Sequence, residues 1–106
     1  MNDEVARVEL NDELREARLI GEFDLDVYEK VSAELAPLFE TPGDVTLDLS
    51  EVAFLDSSAI RLFVRLQQSR DRDGNVILRA PRPHVARVLS VAGVAELGIR
   101  VEEQNE

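Results

Sequence analysis

Cysteine is absent from this 106-residue chain. Neither a disulfide framework nor a thiolate metal site is therefore available, and nothing points to an oxidising compartment. Histidine occurs once, at His84, and no G-x-S-x-G elbow surrounds Ser57 or Ser58, so a catalytic triad is poorly supported and His84 is read as a surface residue in the first turn of a helix. The five glycines are scattered and form neither a G-x-x-x-x-G-K nor a G-x-G-x-x-G phosphate cradle, which argues against nucleotide binding by those means. Carboxylates are abundant, yet no spacing resembles a calcium loop or a histidine-containing metal site. A solvated acidic face accounts for them, and no cofactor or metal is expected. Basic residues are few, 12 against 22 acidic ones, and the net charge of −10 opposes binding to nucleic acid or to an anionic membrane. No apolar run approaches membrane-spanning length. The start, "MNDEVARVEL", lacks the basic and apolar regions of a signal peptide, so a soluble cytoplasmic protein is expected, with a protein or a small molecule as partner.

What the chain does contain is enough apolar material, 44% of residues, for one domain with a single modest core. Its charge is unevenly divided. Residues 1–56 hold 16 acidic and 4 basic side chains, net −12, whereas residues 57–106 hold 6 and 8, net +2. The sign changes at Asp56-Ser57-Ser58. Eleven of the twelve basic residues are arginine, compatible with a GC-rich genome and equally with bidentate, persistently charged contacts.

The period-two segments "EVARVEL" and "LREARLI", separated by "ND", predict a hairpin. "GEFD" breaks that pattern. In "LDVYEKVSAELAPLF", Val27, Val31, Leu35 and Leu38 recur at helical spacing with Tyr28 and Phe39 beside them. Asp26 and Glu29 suggest a cap, and Pro37 should end or kink the helix. "TPGD" is a turn, and "VTLDLS" reads as a half-buried strand ending near Ser50. From Ser57 to Arg72 the pattern is again helical, burying Ala59, Leu62, Phe63 and Leu66, with Ile60 beside them and Arg61, Arg65, Gln68 and Arg72 opposite. "DGN" is a turn, "VILRA" a strand, and a helix from about His84 to Val91 is stopped by Gly93. "IRVEE" adds a last short strand. The order β-β-α-β-α-β-α-β predicts an α/β domain, a small mixed β-sheet with helices packed on it. Residues 1–101 are expected to form the domain and 102–106 an acidic tail.

Ser57 and Ser58 sit where a strand passes into a helix, and two readings share that location. Serine is a favoured N-cap, its hydroxyl accepting from a free N–H of the first turn. A helix start also accommodates a phosphate, through the same N–H groups and the positive end of the dipole.

"GEFDLD", "VTLDLSEVAFLDSSAIRLF" and "NVILRAPRPHVARVLSVAGV" together resemble the STAS-domain family of bacterial anti-sigma factor antagonists, over nearly the whole chain. The resemblance implies that Ser57, the first hydroxyl after the aspartate, is the phosphoacceptor. It makes Ser58 its neighbour and a candidate cap, and Asp24 and Asp56 the acidic residues flanking the site, with Gly21 and Glu22 completing the first turn. Ala59 stands where the family often has glycine, and the chain stops near residue 106 where many members continue into a final helix, which leaves the oligomeric state open. The implied function is partner switching in transcription regulation and stress response. The unphosphorylated domain would bind an anti-sigma factor that is also a serine kinase and so release the sigma factor. Phosphorylation of Ser57 would end that binding, a PP2C-like phosphatase would reverse it, and the domain would be a substrate and a switch, not an enzyme. Arg61 and Arg65 are candidates for neutralising the phosphate or for meeting an acidic partner. The alternative is a non-phosphorylated STAS scaffold in a larger assembly or a transport system.

Overall fold

The structure, a computed structural model, describes residues 6–71 and 73–103. Five strands lie in the sheet in chain order: β1 (Arg7–Asn11), β2 (Glu16–Phe23), β3 (Val45–Leu55), β4 (Val76–Arg79) and β5 (Arg100–Glu102). The β1–β2 pair is antiparallel and the other three pairs are parallel. The parallel steps are bridged by α1 (Tyr28–Glu34) with α2 (Ala36–Phe39), by α3 (Ser57–Gln68) and by α4 (Pro83–Ala92). Each parallel step moves one strand in the same direction, so right-handed crossovers place all the helices on one face of the sheet. The mixed sheet with helices packed on it agrees with the expected α/β class.

Alternation along the strands divides the two faces. Ala17, Leu19, Val45, Leu47, Leu49, Val76 and Leu78 are buried under the helices. They meet Val31, Leu35 and Leu38 from α1 and α2, and Leu62, Phe63 and Leu66 from α3. No helix among the described residues covers the other face. There the strand register aligns Glu9, Arg18, Asp48, Arg79 and Glu102 in one row across all five strands, with charges alternating in sign. Opposite charges on neighbouring strands attract. Arg79 lies 3.2 Å from Glu16 and 3.7 Å from Asp48, and Arg18 lies 3.9 Å from Asp48.

Several boundaries differ from the sequence expectation. The hairpin turn is not a two-residue "ND" loop: Asp12–Leu14 form a 3-10 turn and Arg15 follows at φ +55°. Neither "GEFD" nor Ser50 ends a strand, because β2 continues to Phe23 and β3 to Leu55. Two register shifts explain the misreading. Arg18 pairs with Asp48 but Ile20 with Glu51, and Gly21 pairs with Val52 but Glu22 with Phe54. β3 therefore takes up an extra residue twice, and its buried positions run Leu49, Val52, Leu55 at intervals of three instead of two. A bulge of this kind erases the period that identifies a strand. Gly21, at φ +110°, supplies a backbone conformation there that other residues avoid.

The first helix breaks at Leu35 and restarts at Ala36, with Pro37 in the first turn of α2, where its missing N–H costs no helical bond. The cap at the entrance to this region is Asp24, whose Oδ1 accepts from the Asp26 N–H at 3.0 Å, and not the expected Asp26–Glu29 arrangement. The helix α3 stops at Gln68; Arg72, like Glu4 and Val5 of the expected first strand and residues 104–106 of the expected tail, lies outside the described residues. Gly93, at φ +73°, ends α4 as expected. One structural residue had no sequence signal. Arg70 is buried, and its guanidinium donates to the carbonyls of Leu38, Phe39, Thr41, Gly43 and Leu66. It pins the end of α3 to the segment between α2 and β3. Burial pulls its pKa below the ordinary value, partly offset by Asp71 and Asp44, but a guanidinium keeps its proton at neutral pH.

Candidate functional site

The site forms where β2 and β3 end side by side. Phe23 pairs with Leu55, and the Asp56 N–H donates to the Phe23 carbonyl at 3.2 Å, so the turns beginning at Asp24 and Asp56 leave the same end of the sheet together. This is the usual place for function in a sheet of parallel strands, since helix starts and loops converge there.

Neither serine caps α3. The N-cap is Asp56, whose Oδ1 accepts from the N–H of Ser58 at 2.9 Å and of Ala59 at 3.4 Å. The Ser58 hydroxyl donates to the same oxygen at 2.6 Å, and Ser58 is only 5% exposed. Burial tends to raise the Asp56 carboxyl pKa, but donation from the Ser58 hydroxyl, the Ser58 and Ala59 N–H groups and the Leu25 N–H holds it below its ordinary value. Asp56 thus ties the end of β2, through its own N–H, to the start of α3, through its carboxylate. With the cap supplied by Asp56 and the Ser58 hydroxyl engaged by it, Ser57 is left exposed in the first position of the helix.

The remaining predicted residues separate. Asp24 lies with Tyr28 and Ser58 around a small apolar recess between α1 and α3. Arg65 is anchored on that side, its Nη1 donating to the Tyr28 hydroxyl at 2.8 Å. Arg61 stays on the exposed face of α3. The His84 Nε2 donates to the Ala53 carbonyl at 2.7 Å and to neither serine, as suits an exposed residue in the first turn of α4. On the other flank of Ser57 the structure adds residues that the sequence reading passed over. Ser57 and Ile60 from α3 face Arg87, Val88, Val91 and Ala92 from α4 across an open apolar groove, and Val91 is 82% exposed. A signal was available: Val85 and Leu89 form the buried stripe of α4, which leaves Val88 and Val91 as apolar residues off that stripe. Leu25, 66% exposed, and Phe54, 47% exposed, lie next to Asp24 and two residues before Asp56.

Among the described residues, no group of three His, Asp or Glu side chains is placed to hold a metal ion, and no helix is long and apolar enough to cross a membrane. The arrangement can present a hydroxyl, flanked by a fixed carboxylate and exposed apolar side chains, to another macromolecule.

Comparison with known proteins bears on the fold and the family. The solved structure described as the anti-sigma factor antagonist SpoIIAA in its unphosphorylated form superposes with a TM-score of 0.68 at 23% identity, covering 96% of this chain and 90% of that one. An anti-sigma-factor antagonist (STAS) domain protein from Planctomyces limnophilus gives 0.69 at 23% identity, covering 93% and 91%. At that identity the likeness establishes a shared fold. No curated protein sequence matches significantly. A family model described as "Mlab, STAS domain" matches residues 6–100, nearly the whole chain, and by that match the protein belongs to the STAS-domain family.

Proposed function

We propose that this domain is an anti-sigma factor antagonist that works by partner switching, with Ser57 as its phosphoacceptor. The observation that carries the reading is the division of labour between the two serines: Ser58 is buried and donates to Asp56, while Ser57 is exposed at the helix start. In the unphosphorylated state the surface around Ser57, with Asp24, Asp56, Ser58, Arg61 and Arg65 in or beside it, binds an anti-sigma factor that is also a serine kinase. The sigma factor is thereby released. The kinase transfers the γ-phosphoryl group of ATP: the bond from Ser57 Oγ to phosphorus forms, the bond from phosphorus to the β–γ bridging oxygen breaks, ADP leaves, and the hydroxyl proton passes to a base on the kinase. A PP2C-like phosphatase hydrolyses the ester with water and returns the serine and inorganic phosphate. The domain is the substrate of both enzymes and catalyses neither step.

Electrostatics supports the direction of the switch. A phosphate adds a charge of about −1.5 to −2, and two unit charges about 5 Å apart at an effective dielectric near 20 repel by roughly 3 kcal/mol. Asp56, adjacent in sequence and held ionised, is a source of that repulsion. The helix dipole returns at most about 2 kcal/mol, in the free and bound states alike, so the loss of affinity arises at the interface.

A second reading, a STAS scaffold that is never phosphorylated, draws on the exposed Leu25, Phe54 and Val91, which suit a standing interface as well as a switched one. Incubation with the co-encoded kinase and ATP, followed by mass spectrometry, should place one phosphate on Ser57; a phosphate on Ser58, or none, contradicts the assignment. Calorimetric titration should then show Ser57→Ala binding like wild type and Ser57→Asp weakened at least tenfold, about 1.4 kcal/mol. Equal affinities for all three proteins leave the scaffold reading.

A further inference from the structure

The groove beside Ser57 holds a single charged residue. Ser57 and Ile60 form one wall, Val88, Val91 and Ala92 the other, and Arg87 is the only ionisable side chain among the six. Of the other basic residues nearby, Arg65, Arg82 and His84 are engaged, and Arg61, one turn along α3 from Ser57, lies outside the groove. At about 100° per residue, Ile60 lies on the α4 side of Ser57, whereas Arg61 and Arg65 lie on the α1 side, where Arg65 donates to Tyr28. At the start of α4, Arg82 donates to the Ser50 carbonyl and His84 to that of Ala53. Arg87 is exposed and pairs with no carboxylate among the described residues.

We propose that Arg87 receives the phosphate placed on Ser57, forming an ion pair across the groove that covers Ile60, Val88 and Val91. This rests on the reading of Ser57 as the phosphoacceptor. Arginine presents a planar fork that matches two phosphate oxygens, and the apolar walls of the groove give its methylene stem a surface to lie along toward Ser57. Asp56 pushes in the same direction. Its carboxylate is held at the turn by the Ser58 N–H and hydroxyl and the Ala59 N–H and repels the phosphate away from the turn, toward α4. Phosphorylation then acts twice on a partner: it adds charge at Ser57, and it closes the apolar seat next to it. The off state is a different surface as well as a more negative one.

The test installs phosphoserine at position 57 during synthesis, so that no kinase is needed, and follows the phosphate by phosphorus NMR as pH is varied. Its second ionisation ordinarily falls near pH 6. A facing cation lowers that midpoint, and Asp56 together with any contribution from Asp24 raises it, so the comparison is made between variants of the phosphorylated protein. Arg87→Gln should raise the midpoint by about 0.5 unit or more, Arg87→Lys should raise it less, and Arg61→Gln, one turn along α3 from Ser57 but outside the groove, should raise it by less than Arg87→Gln. Unchanged melting shows that the exposed Arg87 is not needed for folding; if Arg87→Gln melts early, the smaller shift in Arg87→Lys remains the deciding result. A midpoint that does not move in either Arg87 variant, or that moves as far in Arg61→Gln, overturns the pairing. A kinase that leaves Ser57 of the unmodified protein untouched overturns the phosphoacceptor reading instead, and the two failures are told apart because the titration does not depend on the kinase.

Discussion

Asp48-Leu49-Ser50, within β3, and Asp56-Ser57-Ser58, at its exit, close the same small ring of hydrogen bonds. In each, the aspartate Oδ1 accepts from the main-chain N–H two residues on, at 2.9 Å, and from that residue's hydroxyl, at 2.7 Å in the first and 2.6 Å in the second. Their surroundings differ. The middle residue of the first turn, Leu49, points into the core, and the other oxygen of Asp48 faces Arg79 and Arg18 in the charged row. The middle residue of the second, Ser57, is exposed, and Asp56 is surrounded by N–H donors at the start of α3. Both carboxyls are held below the ordinary value against burial: Asp48 by the Ser50 donors and then Arg79 and Arg18, Asp56 by donors alone. One turn stitches the sheet; the other caps a helix and leaves a hydroxyl on offer. The same local chemistry serves structure or recognition according to which elements surround it.

The sharpest way to break this comparison is to remove each carboxylate. Asp56→Ala loses a helix cap, typically about 1–2 kcal/mol, and strands the buried Ser58 hydroxyl, so a total near 2–3 kcal/mol is expected in urea denaturation. Asp48→Ala should cost about 1 kcal/mol, because Arg79 keeps Glu16 and Ser50 is half-buried with water within reach. Equal losses would mean that the helix adds nothing to the second turn.

Acid should reveal what the two turns share. Because both folded carboxyls titrate below the ordinary aspartate value, the unfolded state binds protons first. Their contribution is complete at neutral pH and is lost as pH falls below about 4, through the folded pKa values. Melting temperature against pH should fall less steeply in this range for Asp56→Asn and for Asp48→Asn than for wild type, with no change in slope above about pH 5. A parallel curve for either variant would show that its carboxyl is not shifted.

Salt should then separate them. Asp48→Asn keeps the Oδ1 acceptor and removes only the ion pairs, so its cost, under about 1 kcal/mol at low ionic strength, should shrink toward zero in 1 M salt. Asp56→Asn should show no such dependence, since its partners are neutral donors. Smallest of all is Ser57→Ala, expected within about 0.5 kcal/mol of wild type, whereas Ser58→Ala should cost about 1 kcal/mol. Chemical denaturation of the two variants checks this, and a larger loss at Ser57 would make that hydroxyl structural.

The element order, the apolar stripe of Val31, Leu35 and Leu38, the buried face of α3 and the stop at Gly93 were all legible in the sequence, because each follows from period and turn chemistry within a few residues. So was the family resemblance, carried by contiguous segments around Asp24 and Asp56. The end of β3 was not, since its two bulges become visible only against β2, about thirty positions earlier. From sequence the serines read as candidate caps of α3, but serine and aspartate are both good caps in isolation, and only the position of the chain at the sheet's edge gives Asp56 that part.

The same limit governs the site. That Ser57 follows an aspartate at a helix start was plain from consecutive residues. That its hydroxyl is the exposed one, that Arg65 is occupied by Tyr28, and that Arg87 stands across a groove from Ser57 depend on α1, α3 and α4 being carried to one face of the sheet by three parallel crossovers. Local pattern encodes which way a side chain faces on its own element. Which residue it meets there is set by strand register and helix packing, and these couple positions about thirty residues apart through burial of a common core.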